Sequence, residues 1–162
     1  MSVTDKLLEN SKSYAARFDR GGLPMPPGKK VAVVACMDAR LIPTRVLGLD
    51  EGDAHVIRNA GGVITDDQIR SLAISQNLLG TEEIVLLHHT DCGMLTFTDE
   101  QFKQQLRETT GEEPSWSVEA FSGLDDSVRE SIRRIKDSPF IPHKDVRGFV
   151  YDVADGTLRE VS

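Results

Sequence analysis

Cysteine is almost missing from this chain: two residues in 162, Cys36 and Cys92, far apart along it. Two cysteines cannot build a disulfide framework, and without a CxxC pair there is no thioredoxin-like redox site. A lone long-range disulfide is unusual in a reducing cytosol, so the thiols are either inert core groups or parts of a site. Long apolar runs are missing too. None approaches the roughly 20 residues that span a bilayer. The N-terminal stretch "MSVTDKLLENSKSYAARF" mixes charged and apolar residues where a secretory signal has an unbroken apolar core. A cytoplasmic protein with no membrane attachment is the expectation. Positive charge is in deficit: 19 Lys and Arg stand against 26 Asp and Glu, a net charge of -7. No basic cluster interrupts that balance, which argues against nucleic acid as a partner, because a polyanion is repelled.

What is present is a globular composition, 39% hydrophobic and 28% charged, on a chain long enough to bury a real core. No repeat, low-complexity tract or linker divides it, so residues 1–162 are expected to form a single domain, with residues 1–20 as a helical arm. Leu7, Leu8, Tyr14, Ala15 and Phe18 lie near helical spacing and predict a helix from Thr4 to about Arg20; "GGLPMPPGKK" then forms a loop. "VAVVA" (31–35), "AHVIR" (54–58) and "EIVLLHH" (83–89) read as strands, the first a buried one. Thr65 with Gln68 and Thr98 with Gln101 make capping boxes, opening helices that Gly80 and Gly111 close. A further helix runs from Ser127 to Asp137, before Pro139. The tail carries two short strand patterns around Asp155-Gly156, a hairpin signal, while "GEEPSWSVEAFSGLDD" reads as a surface connection. Strands alternating with helices predict an α/β fold with a mostly parallel central sheet flanked by helices, plus the N-terminal arm.

In an open parallel sheet, ligands gather beyond the carboxyl ends of the strands. Cys36 follows the first strand, His89 ends the third, and Cys92 lies in the loop after it, in "LLHHTDCGM". All three belong on one rim if the strands are parallel. Two thiolates and an imidazole there make a three-ligand zinc set with a fourth position open, the pattern of a catalytic rather than a structural site. His88 and His89 point to opposite faces of the sheet. His89 has the compact two-residue gap to Cys92 and is favoured as the ligand. His88 is expected to be a half-buried, hydrogen-bonded strand residue, and His55 and His143 to be surface or structural residues.

The stretches "CMDAR" (36–40), "HTDCG" (89–93) and "HVIRNAGG" (55–62) resemble the β-class carbonic anhydrases, whose signatures are CxDxR and HxxC followed by glycine. The resemblance covers most of the chain from Val31 to about Thr98, and the short length looks like the compact prokaryotic branch. It implies that Cys36, His89 and Cys92 are the zinc ligands and that Asp38 and Arg40 form a paired gate beside the metal. It implies a zinc lyase that reversibly hydrates carbon dioxide to bicarbonate and a proton by attack of zinc hydroxide, acting as a homodimer or a multiple of dimers. No organic cofactor is expected. One departure stands out: many members carry a glutamine nine residues before the first cysteine, and here that position is Pro27, which has no amide to offer substrate.

Two rival readings use the same residues. In a metal-free phosphatase or sulfurtransferase Cys36 is the nucleophile, but a phosphatase loop needs an arginine six residues on, where this chain has Ile42, and Asp38 repels phosphate. In a zinc-stabilised binding module Asp38 closes the site as a permanent fourth ligand. A third reading keeps the enzyme and changes its substrate to carbonyl sulfide or carbon disulfide, a choice that pocket shape decides.

Overall fold

The computed structural model describes residues 1–162. Five strands form one sheet in the order β2-β1-β3-β4-β5. These are β1 (Val31–Cys36), β2 (Ala54–Asn59), β3 (Glu83–His89), β4 (Asp145–Tyr151) and β5 (Leu158–Val161). The first four are parallel, and β5 runs antiparallel to β4. The chain therefore leaves β1 toward β2 on one side and returns as β3 on the other. The crevice at such a reversal of strand order is where open α/β sheets hold their ligands.

The central strands explain their own composition. Ala32, Val33, Val34 and Ala35 of β1 are fully buried, because both faces of the sheet are covered, and an unbroken apolar run is what such a strand requires. On one face Ala32, Val34, Ile84 and Leu86 pack with Leu72 of α3 (Asp66–Leu79) and Ile135 of α5 (Leu124–Asp137). On the other, Val33, Ala35 and Leu87 pack with Leu41, Cys92 and Met94. Each fully buried Val, Leu or Ile side chain contributes about 1.5–3 kcal/mol relative to exposure. Both predicted capping boxes are present, at Thr65 for α3 and Thr98 for α4 (Asp99–Thr110), and Gly80 and Gly111 close those helices in the left-handed conformation.

Three elements differ from expectation. α1 (Val3–Ala15) is shorter than the predicted span to Arg20, ending before the Gly21-Gly22 pair, and none of its residues is buried. α2 (Pro43–Leu47) was not foreseen, although it has proline in its first turn and Gly48 just past its end, both ordinary boundary residues. α5 begins three residues before Ser127, with Asp125 and Asp126 in its first turn, where carboxylates suit the positive end of the helix. No helix is long and apolar enough to cross a membrane.

Candidate metal centre and substrate cavity

Cys36 closes β1 and His89 closes β3, the two strands that flank the reversal point, and Cys92 follows in the loop after β3. One ligand atom from each lies within 4.8 Å of the others. All three residues are buried, and the cysteines are free thiols. His89 Nδ1 bonds to the Thr90 carbonyl at 2.8 Å, which fixes that nitrogen as the protonated one and leaves Nε2 with its lone pair. Nε2 is buried and has no hydrogen-bond partner. An orphaned imidazole nitrogen beside two buried thiols is costly in a fold that has nothing to put there. The residues fit a soft divalent metal ion.

The thiols behave as a pair. Cys36 is held well below the ordinary thiol range because the Cys92 thiol donates to it, with His89 and backbone amides helping against burial. Cys92 is pushed up, first by that same contact with Cys36 and then by burial. Burial opposes charge on His89, but the Cys36 thiolate, the Thr90 carbonyl and Asp38 outweigh it and push the imidazole up. A dense negative potential thus surrounds the point where the three donors meet.

Asp38 and Arg40 stand at the edge of this point. Arg40 grips Asp38 with its backbone N–H (2.8 Å), Nε (3.0 Å) and Nη2 (2.9 Å). Those bonds hold the Asp38 carboxyl far below the usual carboxylate range. The remaining guanidinium donors reach Asp91, at Oδ2 (2.8 Å) and at the carbonyl (3.0 Å), so Arg40 ties the CMDAR stretch to the HTDCG stretch. Asp38 Oδ2 is 3.7 Å from His89 Nε2. The carboxylate is therefore paired with arginine and is not one of the three clustered donors.

Two supports escaped sequence reasoning. Arg58 of β2 donates to the carbonyls of Cys36 (3.0 and 2.8 Å), Asp38 (2.8 Å) and Leu41 (2.7 Å), pinning the loop that carries the site. Gly62, with φ +67°, lies so close to the end of β1 that a Cβ there would stand 2.8 Å from the Cys36 nitrogen. The close approach of "AGG" to a strand end was a readable signal; the bonds from Arg58 were not.

The donors open into a cavity of about 580 Å³ whose wall is mostly apolar, with Met37, Met94, Phe97, Phe102, Trp116 and Val118 around it. Trp116 and Val118 come from the segment read as a surface connection. That reading is corrected: the segment folds back over α4, where Trp116 packs on Phe102 with ring centres 6.5 Å apart. His88 is corrected as well. It is fully buried rather than half-buried, neither ring nitrogen has a hydrogen-bond partner, and it packs on Phe121 with ring centres 5.9 Å apart. His55 bonds to Ser75 Oγ at 2.8 Å and His143 is exposed, both remote from the site. Pro27 is buried in its loop and does not line the cavity.

The family described as carbonic anhydrase matches residues 31–158. Across its whole length the chain is 60% identical to beta-carbonic anhydrase 1 of Mycobacterium tuberculosis, 99% of which is covered. It is also 36% identical to a carbon disulfide hydrolase of Acidithiobacillus thiooxidans, over 94% of this chain and 85% of that one. Among solved structures, carbonic anhydrase from Streptococcus mutans superposes with a TM-score of 0.94 at 45% identity, covering 100% of this chain and 99% of the other. The carbonic anhydrase from Glaciozyma antarctica gives 0.90 at 43%, with both chains fully covered. Fold, clustered donors and relatives agree, and the chain belongs to the β-class carbonic anhydrase family.

Proposed function

We propose that this chain catalyses the reversible hydration of carbon dioxide to bicarbonate and a proton, with zinc held by Cys36, His89 and Cys92 and with Asp38 and Arg40 as the catalytic pair. The observation that carries the reading is the buried cluster of two thiols and an unpartnered imidazole nitrogen at the mouth of an apolar cavity. Zinc held by Cys36, His89 and Cys92 would supply Lewis acidity, enough to make hydroxide available near neutral pH. The protein's own groups do the rest. Asp38 stays ionised and accepts a hydrogen bond from the nucleophile, aiming it at carbon. Arg40, saturated by Asp38 and Asp91, holds the carboxylate beside the donors and away from the point where they meet. Carbon dioxide is small and apolar, so the aromatic wall takes it from water at little cost and repels nothing on it.

Residues 1–162 act as one β-carbonic-anhydrase-like domain. Val3, Leu7, Leu8 and Tyr14 of α1 are all more than half exposed, which supports a role for the arm in holding a second copy, and the active form as a homodimer or a multiple of it. Two thiols kept free as ligands suit the reducing cytoplasm. Stopped-flow hydration of carbon dioxide by metal-quantified protein, followed across pH, tests the assignment. Turnover that scales with zinc content supports it, and full zinc loading without turnover leaves the binding module. A second reading draws on the same apolar wall and on the carbon disulfide hydrolase relatives. Sulfide release from carbon disulfide exceeding the rate on carbon dioxide would favour it.

A further inference from the structure

Trp116 stands between two cavities. On one side is the apolar cavity that it shares with Phe97 and Phe102; on the other is a polar one of about 630 Å³, lined by Asp66, Asp67, Glu119 and Arg134 among others. The indole, 55% exposed, is the side chain the two cavities share and so acts as the partition, and the segment that carries it and Val118 needs a fastening. Three bonds provide it. The Ala120 N–H donates to Asp99 Oδ1 at the start of α4 (2.8 Å), and the Phe121 N–H donates to the Met94 carbonyl (3.2 Å). The third is an ion pair. Both terminal nitrogens of Arg134 on α5 reach the Glu119 carboxylate, each at 3.1 Å.

Glu119 holds an unusual backbone. Its φ is +64°, a left-handed conformation that side chains other than glycine rarely adopt. No local preference puts a glutamate there, so the surroundings must impose the conformation. Arg134 is placed to do so: it also donates to the Ile64 carbonyl (2.8 Å) and to Glu130 (3.0 Å), which fixes its fork before it meets Glu119. The pair is well sheltered, with the Arg134 and Glu119 side chains 33% and 22% exposed. Arg134 thus connects α5, the backbone just after Gly62 and the wall of the cavity.

We propose that Arg134 is a positioning residue for the substrate cavity: its paired bonds to Glu119 hold Trp116 and Val118 as the wall that confines a small apolar substrate. The inference rests on reading this cavity as the carbon dioxide site. Without the latch the partition loosens, the apolar cavity opens toward the polar one, and confinement is lost. The groups at the reacting atoms (Cys36, Asp38, His89 and Cys92) make no contact with Arg134, so the chemical step itself is left alone.

Trp116 is the single tryptophan of the chain, which gives the wall its own spectroscopic reporter. The test compares full-length wild type with Arg134→Gln, Glu119→Gly and the double variant. Acrylamide quenching of Trp116 and the kinetics of carbon dioxide hydration are followed, and far-UV circular dichroism checks the fold. Each single variant is expected to raise the quenching constant about twofold, as expected of local opening. Each should raise KM about threefold with kcat almost unchanged, the signature of lost uniform binding. The double variant should match the singles, because one latch is broken once. Glu119→Gly suits the positive φ, so it still carries the test if Arg134→Gln fails to fold. Quenching and KM at wild-type values in both singles would overturn the proposal, as would a double variant equal to the product of its singles. A wild-type protein inactive on carbon dioxide defeats the reading of the cavity, and the quenching comparison then decides the latch alone.

Discussion

Replacing Gly62 by alanine separates two kinds of cost that meet at the metal centre. Gly62 sits at φ +67°, and an added Cβ there would lie 2.8 Å from the Cys36 nitrogen, 3.1 Å from the Ala35 carbonyl carbon and 3.1 Å from the Leu87 carbonyl oxygen. All three neighbours are backbone atoms of central strands and cannot rotate away. Gly80 supplies the control: its φ is +73°, but nothing lies within 4 Å of its would-be Cβ. Gly80→Ala therefore carries only the left-handed strain, about 1–2 kcal/mol. Gly62→Ala carries that strain and a clash of the overpacking kind, about 1–3 kcal/mol more. To reach an ordinary contact near 3.4 Å the Cys36 nitrogen must retreat by about 0.6 Å (3.4 minus 2.8). Metal–ligand distances tolerate only about 0.2 Å, so zinc affinity falls along with stability. Chemical denaturation at fixed protein concentration measures the first effect and competition with a chromophoric chelator the second. If Gly62→Ala loses no more stability than Gly80→Ala and keeps wild-type zinc affinity, the close approach of this glycine to β1 does not matter and the reasoning fails.

Cys36→Ser and Cys92→Ser are each expected to lose most of the bound zinc during dialysis against a mild chelator, since a hydroxyl is a poor substitute for a thiolate; full retention in either, read by elemental analysis, removes that residue from the ligand set. Arg58→Gln leaves the carbonyls of Cys36, Asp38 and Leu41 without their donor, and about a tenfold fall in zinc affinity is expected from a supporting residue of this kind; unchanged chelator competition would show that the loop holds itself. His88 is pushed down to about 4 by burial, so its neutral form is the folded one. The unfolded chain binds the proton first, and the stability present above pH 6.5 is lost as pH falls toward 4, by about 3 kcal/mol at about 1.4 kcal/mol per unit. His88→Leu should flatten that part of the acid denaturation curve, and an identical curve would refute the assignment.

Most of the sheet and the donor cluster were legible in the sequence because both rest on short-range rules. A strand buried on both faces needs an unbroken apolar run, and "VAVVA" has one. Strand alternation separated His88 from His89 without reference to the rest of the fold, and in the structure His89 joins the donor cluster while His88 does not. Parallel strand ends then brought Cys36, His89 and Cys92 together. Beyond those rules the sequence was silent. Whether His88 would find a hydrogen bond depended on what covers its ring, and it met the ring of Phe121, from a segment with no regular structure. The pinning of the CMDAR loop depended on an arginine from another strand, whose bonds go to carbonyls, which every residue has alike.

The unread segment is where specificity within the family has room to vary. The donor cluster is built at the ends of β1 and β3, which the sheet register places within narrow limits. One part of the cavity wall, Trp116 and Val118, sits on a segment held by side-chain bonds to α4 and α5 and by one backbone bond to Met94 rather than by a ladder. Substitutions there can shift the indole without disturbing a strand, whereas a shift at Cys36 would pull the donor cluster apart. Substrate choice between carbon dioxide and its sulfur analogues is then expected to follow the side chains at positions 97, 102, 116 and 118 and the latch behind them. Exchanging those side chains, with the ligands untouched, should change the ratio of sulfide release to bicarbonate formation while zinc affinity stays constant. A ratio that moves only when zinc affinity moves would put specificity back at the metal.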